Sequence, residues 1–102
     1  MAKRIILYNL ADHVTDEAFK KYATSEKGPL ISKLPGVKKY ELVKITSASA
    51  GKVPYKYVGI VHLTNAEEHD RKSAGLKEYQ DFQKKFGPMV KDVIMLTGEE
   101  IY

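Results

Sequence analysis

The chain has no cysteine. That excludes disulfides, thiolate metal sites and cysteine nucleophiles together, and it fits a reducing compartment better than a secreted, cross-linked scaffold. Histidine is scarce, with three residues at 13, 62 and 69; no pair stands four apart and no carboxylate cluster goes with them, so the spacing of a metal site is missing. There is no serine nucleophile elbow, no glycine-rich phosphate loop and no pair of carboxylates that spacing singles out, and no cofactor is expected. Long apolar runs are lacking too. The stretch after Met1-Ala2-Lys3-Arg4 is only about six residues long, too short for the core of a signal peptide or for a membrane span. The expectation is a cytoplasmic protein without a membrane partner. Neither sign of charge dominates: 17 Lys and Arg face 13 Asp and Glu, a net +4, and the basic residues are scattered, which solvates a surface more than it attracts a polyanion.

What is present is enough for one domain. A chain of 102 residues buries a single two-layer core without cross-links, so residues 1–102 are expected to form one unit, with 98–102 as a C-terminal tail. Residues 3–10 are short and rich in β-formers and read as a first strand. Thr15 is placed to cap a helix whose first turn holds Asp16 and Glu17, where the helix dipole favours negative charge. Val14, Ala18, Phe19, Tyr22 and Ala23 recur at helical spacing as its core stripe. Gly28-Pro29 is expected to break that helix, with one further turn over Leu30, Ile31 and Leu34. Residues 37–46 and 55–64 read as strands joined by a Ser-, Ala- and Gly-rich loop. Asn65-Ala66-Glu67-Glu68 has the form of a capping box. The helix it opens is expected to falter near Ser73-Ala74-Gly75, resume with Leu76, Tyr79, Phe82 and Phe86 on one face, and stop at Gly87-Pro88. Residues 90–97 form the last strand. The order β-α-β-β-α-β predicts an α+β, ferredoxin-like fold: an antiparallel four-stranded sheet with two helices on one face.

The third strand carries Tyr57, Gly59, Val61 and Leu63 on one face and Val58, Ile60 and His62 on the other. The first strand likewise sets Ile6, Tyr8 and Leu10 opposite Ile5, Leu7 and Asn9. Two helices cover one side of such a sheet, and a monomer would keep the other side polar. Leaving Val, Ile and Leu in water forgoes roughly 1.5–3 kcal/mol apiece. A second copy, meeting the first about a two-fold axis, is the simplest cover because one self-complementary patch suffices. Val58, Ile60 and His62 are the expected interface residues of a homodimer.

Leu34-Pro35-Gly36-Val37 leads into a tyrosine-containing strand. Pro54-Tyr55-Lys56-Tyr57-Val58-Gly59-Ile60-Val61, a charged helix and the closing Val93-Ile94-Met95-Leu96-Thr97 follow. In this order the segments resemble the RedY-like/HapK family of the dimeric α+β barrel superfamily, which also contains EthD-like proteins and stress-responsive barrel cyclases. The similarity covers nearly the whole chain. It implies a homodimer whose two sheets form a barrel, each subunit keeping a pocket between its own sheet and helices. It also implies binding of a small aromatic or polyketide-like metabolite without strong catalysis, or alternatively an accessory role in cyclising or condensing one, as in prodiginine-type pigment pathways. Related barrel enzymes often place a histidine just before the helix break, where this chain has Lys27. The cyclases place others at the start of the third strand, here Tyr57, and in the second helix near Ser73-Gly75. Haem-degrading relatives depend on a tryptophan, and this chain has none.

Within such a pocket Tyr8, Tyr22 and Tyr57 are the candidate ligand-binding residues, since phenols supply both apolar area and a hydrogen-bonding group. Arg4 shares a strand face with Tyr8 and is a candidate for a ligand carboxylate or carbonyl. Lys27 is a candidate anion anchor or, if desolvated, a base. No catalytic residue stands out. The same order of elements describes an RNA-recognition motif, but the positions that would stack on bases hold Ile6, Val58 and Ile60. Nucleic acid is therefore not an expected partner.

Overall fold

Alternation decides the strands, and the computed structural model, which describes residues 1–102, shows them where it is strongest. Strand β1 spans Ala2–Leu10, β2 Val37–Lys44, β3 Tyr57–Leu63 and β4 Val90–Glu99. They form one antiparallel sheet in the order β2-β3-β1-β4. Between β1 and β2 lie helix α1 (Asp16–Tyr22) and helix α2 (Gly28–Ser32); between β3 and β4 lie α3 (Ala66–Ala74) and α4 (Lys77–Phe86). This is the predicted ferredoxin-like α+β fold.

The caps behave as their chemistry requires. Thr15 Oγ1 accepts the Ala18 N–H at 3.1 Å and Asn65 Oδ1 accepts the Glu68 N–H at 2.9 Å. The expected capping box is only half closed, because the Glu68 carboxylate pairs with Lys72 one turn on. The interruption near Gly75 is real: α3 ends at Ala74 and α4 begins at Lys77.

Gly28-Pro29 does not break the first helix. Residues Ala23–Lys27 form a π-helical turn, in which the Gly28 N–H reaches back five residues to the Ala23 carbonyl, and helical backbone continues through Lys27 and Gly28 into α2. The wider turn makes room for a proline ring that would otherwise meet the carbonyl four residues earlier. Glycine is needed here for a second reason, since a Cβ at position 28 would lie 2.8 Å from the Ala23 oxygen. Lys27, the last residue of the turn, is 3% exposed.

The two sheet faces differ in cover. Ala2, Arg4, Ile6 and Tyr8 of β1 stand opposite Leu63, Val61, Gly59 and Tyr57 of β3 on the helix side, where Tyr8, Tyr57, Val61 and Leu63 are buried. Phe19, Tyr22 and Ala23 pack onto the Tyr8–Tyr57 end of this layer, and Ile31 and Leu34 onto the Val61–Leu63 end. Ala18, expected in the stripe, faces outward. The far face bears Ile5 and Leu7, with Ile60 and Val58 beside them on β3 and Leu96 and Ile94 on β4. No helix lies over it, and Ile94, Leu96 and neighbouring Val43 are exposed. Strand β4 runs to Glu99, past the expected end, because Gly98 and Glu99 pair with Lys3 and Ala2; only Ile101 and Tyr102 are fully exposed at the end. Its register shifts opposite Leu7 and Asn9, where Asp92 takes a φ of 57° and absorbs the extra residue of a bulge. No helix is long and apolar enough to cross a membrane.

Candidate functional site

Two aromatic layers fail to meet completely between sheet and helices, and a cavity of about 300 Å³ remains. The sheet supplies Arg4, Ile6 and Tyr8 from β1, Tyr40 from β2, and Gly59 and Val61 from β3. Gly59 keeps the floor low; a Cβ there would stand 3.6 Å from the Tyr40 side chain and 4.0 Å from Ile6. The helices supply Lys27, Ile31, His69, Tyr79, Phe82 and Phe86, and Val93 and Met95 of β4 stand at its open side. The volume is at the small end of ligand pockets, and an apolar wall with a few converging polar groups is their usual composition.

Those polar groups are unusual in what they lack. The Tyr8 hydroxyl and the Arg4 Nε are buried without a protein hydrogen-bond partner, a state that costs about 1–3 kcal/mol per group and asks for an explanation. The Arg4 head is otherwise committed: both Nη atoms donate to Asp70, at 3.0 and 2.9 Å. Burial, reinforced by the neighbouring tyrosines, pushes the Tyr8 phenol far up, so it stays protonated. Lys27 donates to the Tyr40 hydroxyl and sits over the rings of Tyr40, Phe86 and Phe82 at 4.6, 4.9 and 5.8 Å from their centroids. Burial alone pushes its ammonium down to about 8. The His69 Nδ1 donates to the Pro35 carbonyl at 2.7 Å, which leaves its Nε2 outside that bond.

The structure thus brings Arg4, Tyr8 and Lys27 to one cavity and leaves Tyr22 and Tyr57 out of it. All three tyrosines belong to one aromatic cluster with Phe19, but only Tyr8 lines the cavity, and the Tyr57 ring stacks beside it at 5.8 Å without reaching the cavity. The Tyr57 hydroxyl donates to Asp16 at 2.7 Å and lines a separate, open groove between α1 and β2. Tyr22 lines another cleft, with Glu26 and Lys85. His62 lies on the uncovered face, as expected, but bonds within its own chain to Glu41 at 2.7 Å. Sequence reasoning missed Tyr40 and His69. His69 stands one helical turn before Ser73, and both are buried; that spacing was the available signal for a core-facing histidine.

The bare phenol yields a stability prediction. Tyr8→Phe removes a buried hydroxyl that has no partner and keeps the ring that stacks on Tyr57. Urea unfolding should show a gain of about 1–2 kcal/mol; a loss would mean that the hydroxyl is satisfied in solution.

Strand order, one helical layer and a donor-lined cavity between sheet and helices define a ferredoxin-like α+β domain with an internal pocket. The chain belongs to the family described as REDY-like protein HapK, whose profile matches residues 2–101. No curated protein matches it. Among solved structures it is similar to HapK from Hahella chejuensis, with 22% identity over 99% of this chain and 93% of that one and a TM-score of 0.80. It is also similar to an EthD family protein from Bacillus halodurans, with 21% identity over 99% of each chain and a TM-score of 0.74. A third, described as a dimeric ferredoxin-like protein of unknown function from Thermobifida fusca, has 20% identity over 95% of this chain and 88% of that one, with a TM-score of 0.73. At such identities the likeness is one of fold.

Proposed function

We propose that this chain acts as a homodimer that binds a small planar metabolite, aromatic or polyketide-like, in the cavity between sheet and helices, without strong catalysis of its own. The observation that carries the reading is the pair of buried, unpartnered donors, Tyr8 Oη and Arg4 Nε, on an otherwise aromatic and aliphatic wall. A flat ligand with hydrogen-bond acceptors satisfies both groups and fills apolar volume at once. The homodimer is supported by the uncovered apolar face around Leu7, Val58 and Ile60 and by the description of the Thermobifida relative as dimeric.

A second reading, an accessory cyclase or condensation factor, is favoured by one feature. His69 lines the cavity with its Nδ1 held by the Pro35 carbonyl, which leaves Nε2 as the ring nitrogen that would serve as a general base. Lys27 and Tyr8 would donate to the oxygen on which charge develops.

Titration with naphthalene-sized probes, followed by amide and methyl NMR, tests both. Shifts should concentrate on Ile6, Ile31, Val61 and Val93 around the cavity. Shifts confined to Ile5, Leu7 and Ile60 would place binding on the uncovered face and refute the cavity reading. With a 1,3-dicarbonyl probe, an unchanged ligand supports binding alone, and a new condensed species supports the second reading.

A further inference from the structure

We infer that the ligand of this cavity is an anion, a carboxylate or an ionised enol on a planar apolar body, and that Lys27 is its counter-charge. The inference rests on the proposal that the cavity is a binding site and adds the charge of what it binds.

The cavity carries cations and no acid. Arg4 and Lys27 line it, and no Asp or Glu does. The other clefts differ: the groove beside Tyr57 holds Asp16 and Glu17, that beside Tyr22 holds Glu26, Glu78 and Asp81, and that beside Asn9 holds Asp12, Asp16 and Asp92. Arg4 is answered from outside the cavity by Asp70. Lys27 is answered by nothing charged. Its neighbour in sequence, Glu26, turns away to Lys85 at 2.8 Å. The groups that face the cavity with Lys27 are Arg4 and Tyr8 from β1, Tyr40 from β2, His69 from α3, and Tyr79, Phe82, Gln83 and Phe86 from α4. None of these is an acid at neutral pH, because burial also pushes the Tyr8, Tyr40 and Tyr79 phenols up.

A buried ammonium with only a phenol and ring faces around it is partly desolvated and not neutralised. An anion delivered by a ligand supplies the missing charge. Arg4 Nε and Tyr8 Oη, both unpartnered, add two further donors of the kind a carboxylate or enolate oxygen accepts. The same groups discriminate against cationic ligands, which would meet like charge in a medium that screens it little.

The test compares 2-naphthoate and dimedone enolate with neutral 2-naphthamide by isothermal titration calorimetry. At pH 7 at least one anion should bind ten-fold or more tightly than the amide, and whichever does identifies the preferred head group. The ammonium is lost as pH rises through about 8, so the advantage should shrink above that pH. Near pH 8 binding of the anion should take up about half a proton, seen as a dependence of the heat on buffer ionisation enthalpy. Lys27→Met should abolish the preference and Lys27→Arg should keep it. If Lys27→Met does not fold, proton uptake by the unaltered protein decides. Equal affinities, an unchanged preference in Lys27→Met, or no proton uptake would overturn the inference while leaving the cavity reading intact. Failure of all three probes to bind would overturn both.

Discussion

Given the homodimer proposed above, Val58→Glu should leave the protein folded and monomeric at concentrations where the unaltered chain would pair. Val58 lies on the uncovered face between Leu7 of β1 and Val43 of β2, so its side chain does not enter the helix-side core. In the single chain a glutamate there keeps its water. In a two-fold pair each copy buries one carboxylate against apolar side chains, with no cation among the register partners, and burying an unpaired charge costs several kcal/mol. A loss of at least about 100-fold in dimerisation constant follows from only about 2.7 kcal/mol. Sedimentation equilibrium measures it, with circular dichroism to confirm that the sheet persists. An unaltered chain that is monomeric at 100 micromolar, or a variant that dimerises as well as its parent, would remove this face as the interface.

Lys27→Met should stabilise the ligand-free protein at neutral pH. Burial lowers the Lys27 ammonium from 10.5 to about 8, so between those values the unfolded chain holds a proton that the folded chain has released. Stability therefore rises with pH across that window, and below about 8 the whole cost of burying the charge is present. A displacement of that size corresponds to about 3 kcal/mol. The Tyr40 hydroxyl and the three ring faces lose a cation in the variant, which returns part of the gain. The expected net gain at pH 7 is about 1–3 kcal/mol, or a Tm higher by roughly 5–15 °C for a domain of this size. Urea unfolding at pH 7 and pH 10 checks it: the advantage should be large at the first and small at the second. A destabilised variant at pH 7 would show that the aromatic cage holds the ammonium more strongly than burial penalises it.

Both experiments bear on one feature of the molecule, that it keeps groups in places where a lone, empty chain gains nothing from them. Apolar side chains face water on one side of the sheet. A cation and two unpartnered donors face a cavity on the other. Under the readings proposed above, a second copy would cover the first side and an anionic planar ligand would answer the second.

Much of the fold was legible because its signals are local. Period-two alternation in 3–10 and 57–63 is a property of neighbouring residues, as are the Thr15 and Asn65 caps and the Gly75 interruption. The failure at Gly28-Pro29 is also instructive. Proline forbids a regular helical hydrogen bond, and the inference to a break was sound for an α-helix; the chain instead widens by one residue, a choice that the Gly28 contact with the Ala23 carbonyl permits. Lys27, at the end of that turn, is buried with Ala23 and Ile31, one turn to either side.

The site was less legible for the same reason. Arg4 and Tyr8 share a strand face by parity and Lys27 stood out only by its place beside Gly28-Pro29; the structure sets all three against one cavity. Tyr22 and Tyr57 satisfy the same local criteria and yet line other clefts, and His69 and Tyr40 satisfy none that pointed to a cavity. Which rings fill space and which border it depends on packing between elements far apart in the chain.

By itself, then, the order of residues determined the β-α-β-β-α-β succession, the two apolar faces of β1 and β3, and the lack of thiols, because each follows from the identity and spacing of nearby side chains. Only the tertiary structure decided that one cavity collects Arg4, Tyr8, Lys27, Tyr40 and His69 and contains no carboxylate. Burial and charge balance are sums over neighbours contributed by β1, β2, β3, α3, α4 and the π-helical turn, and no local stretch of the chain contains that sum.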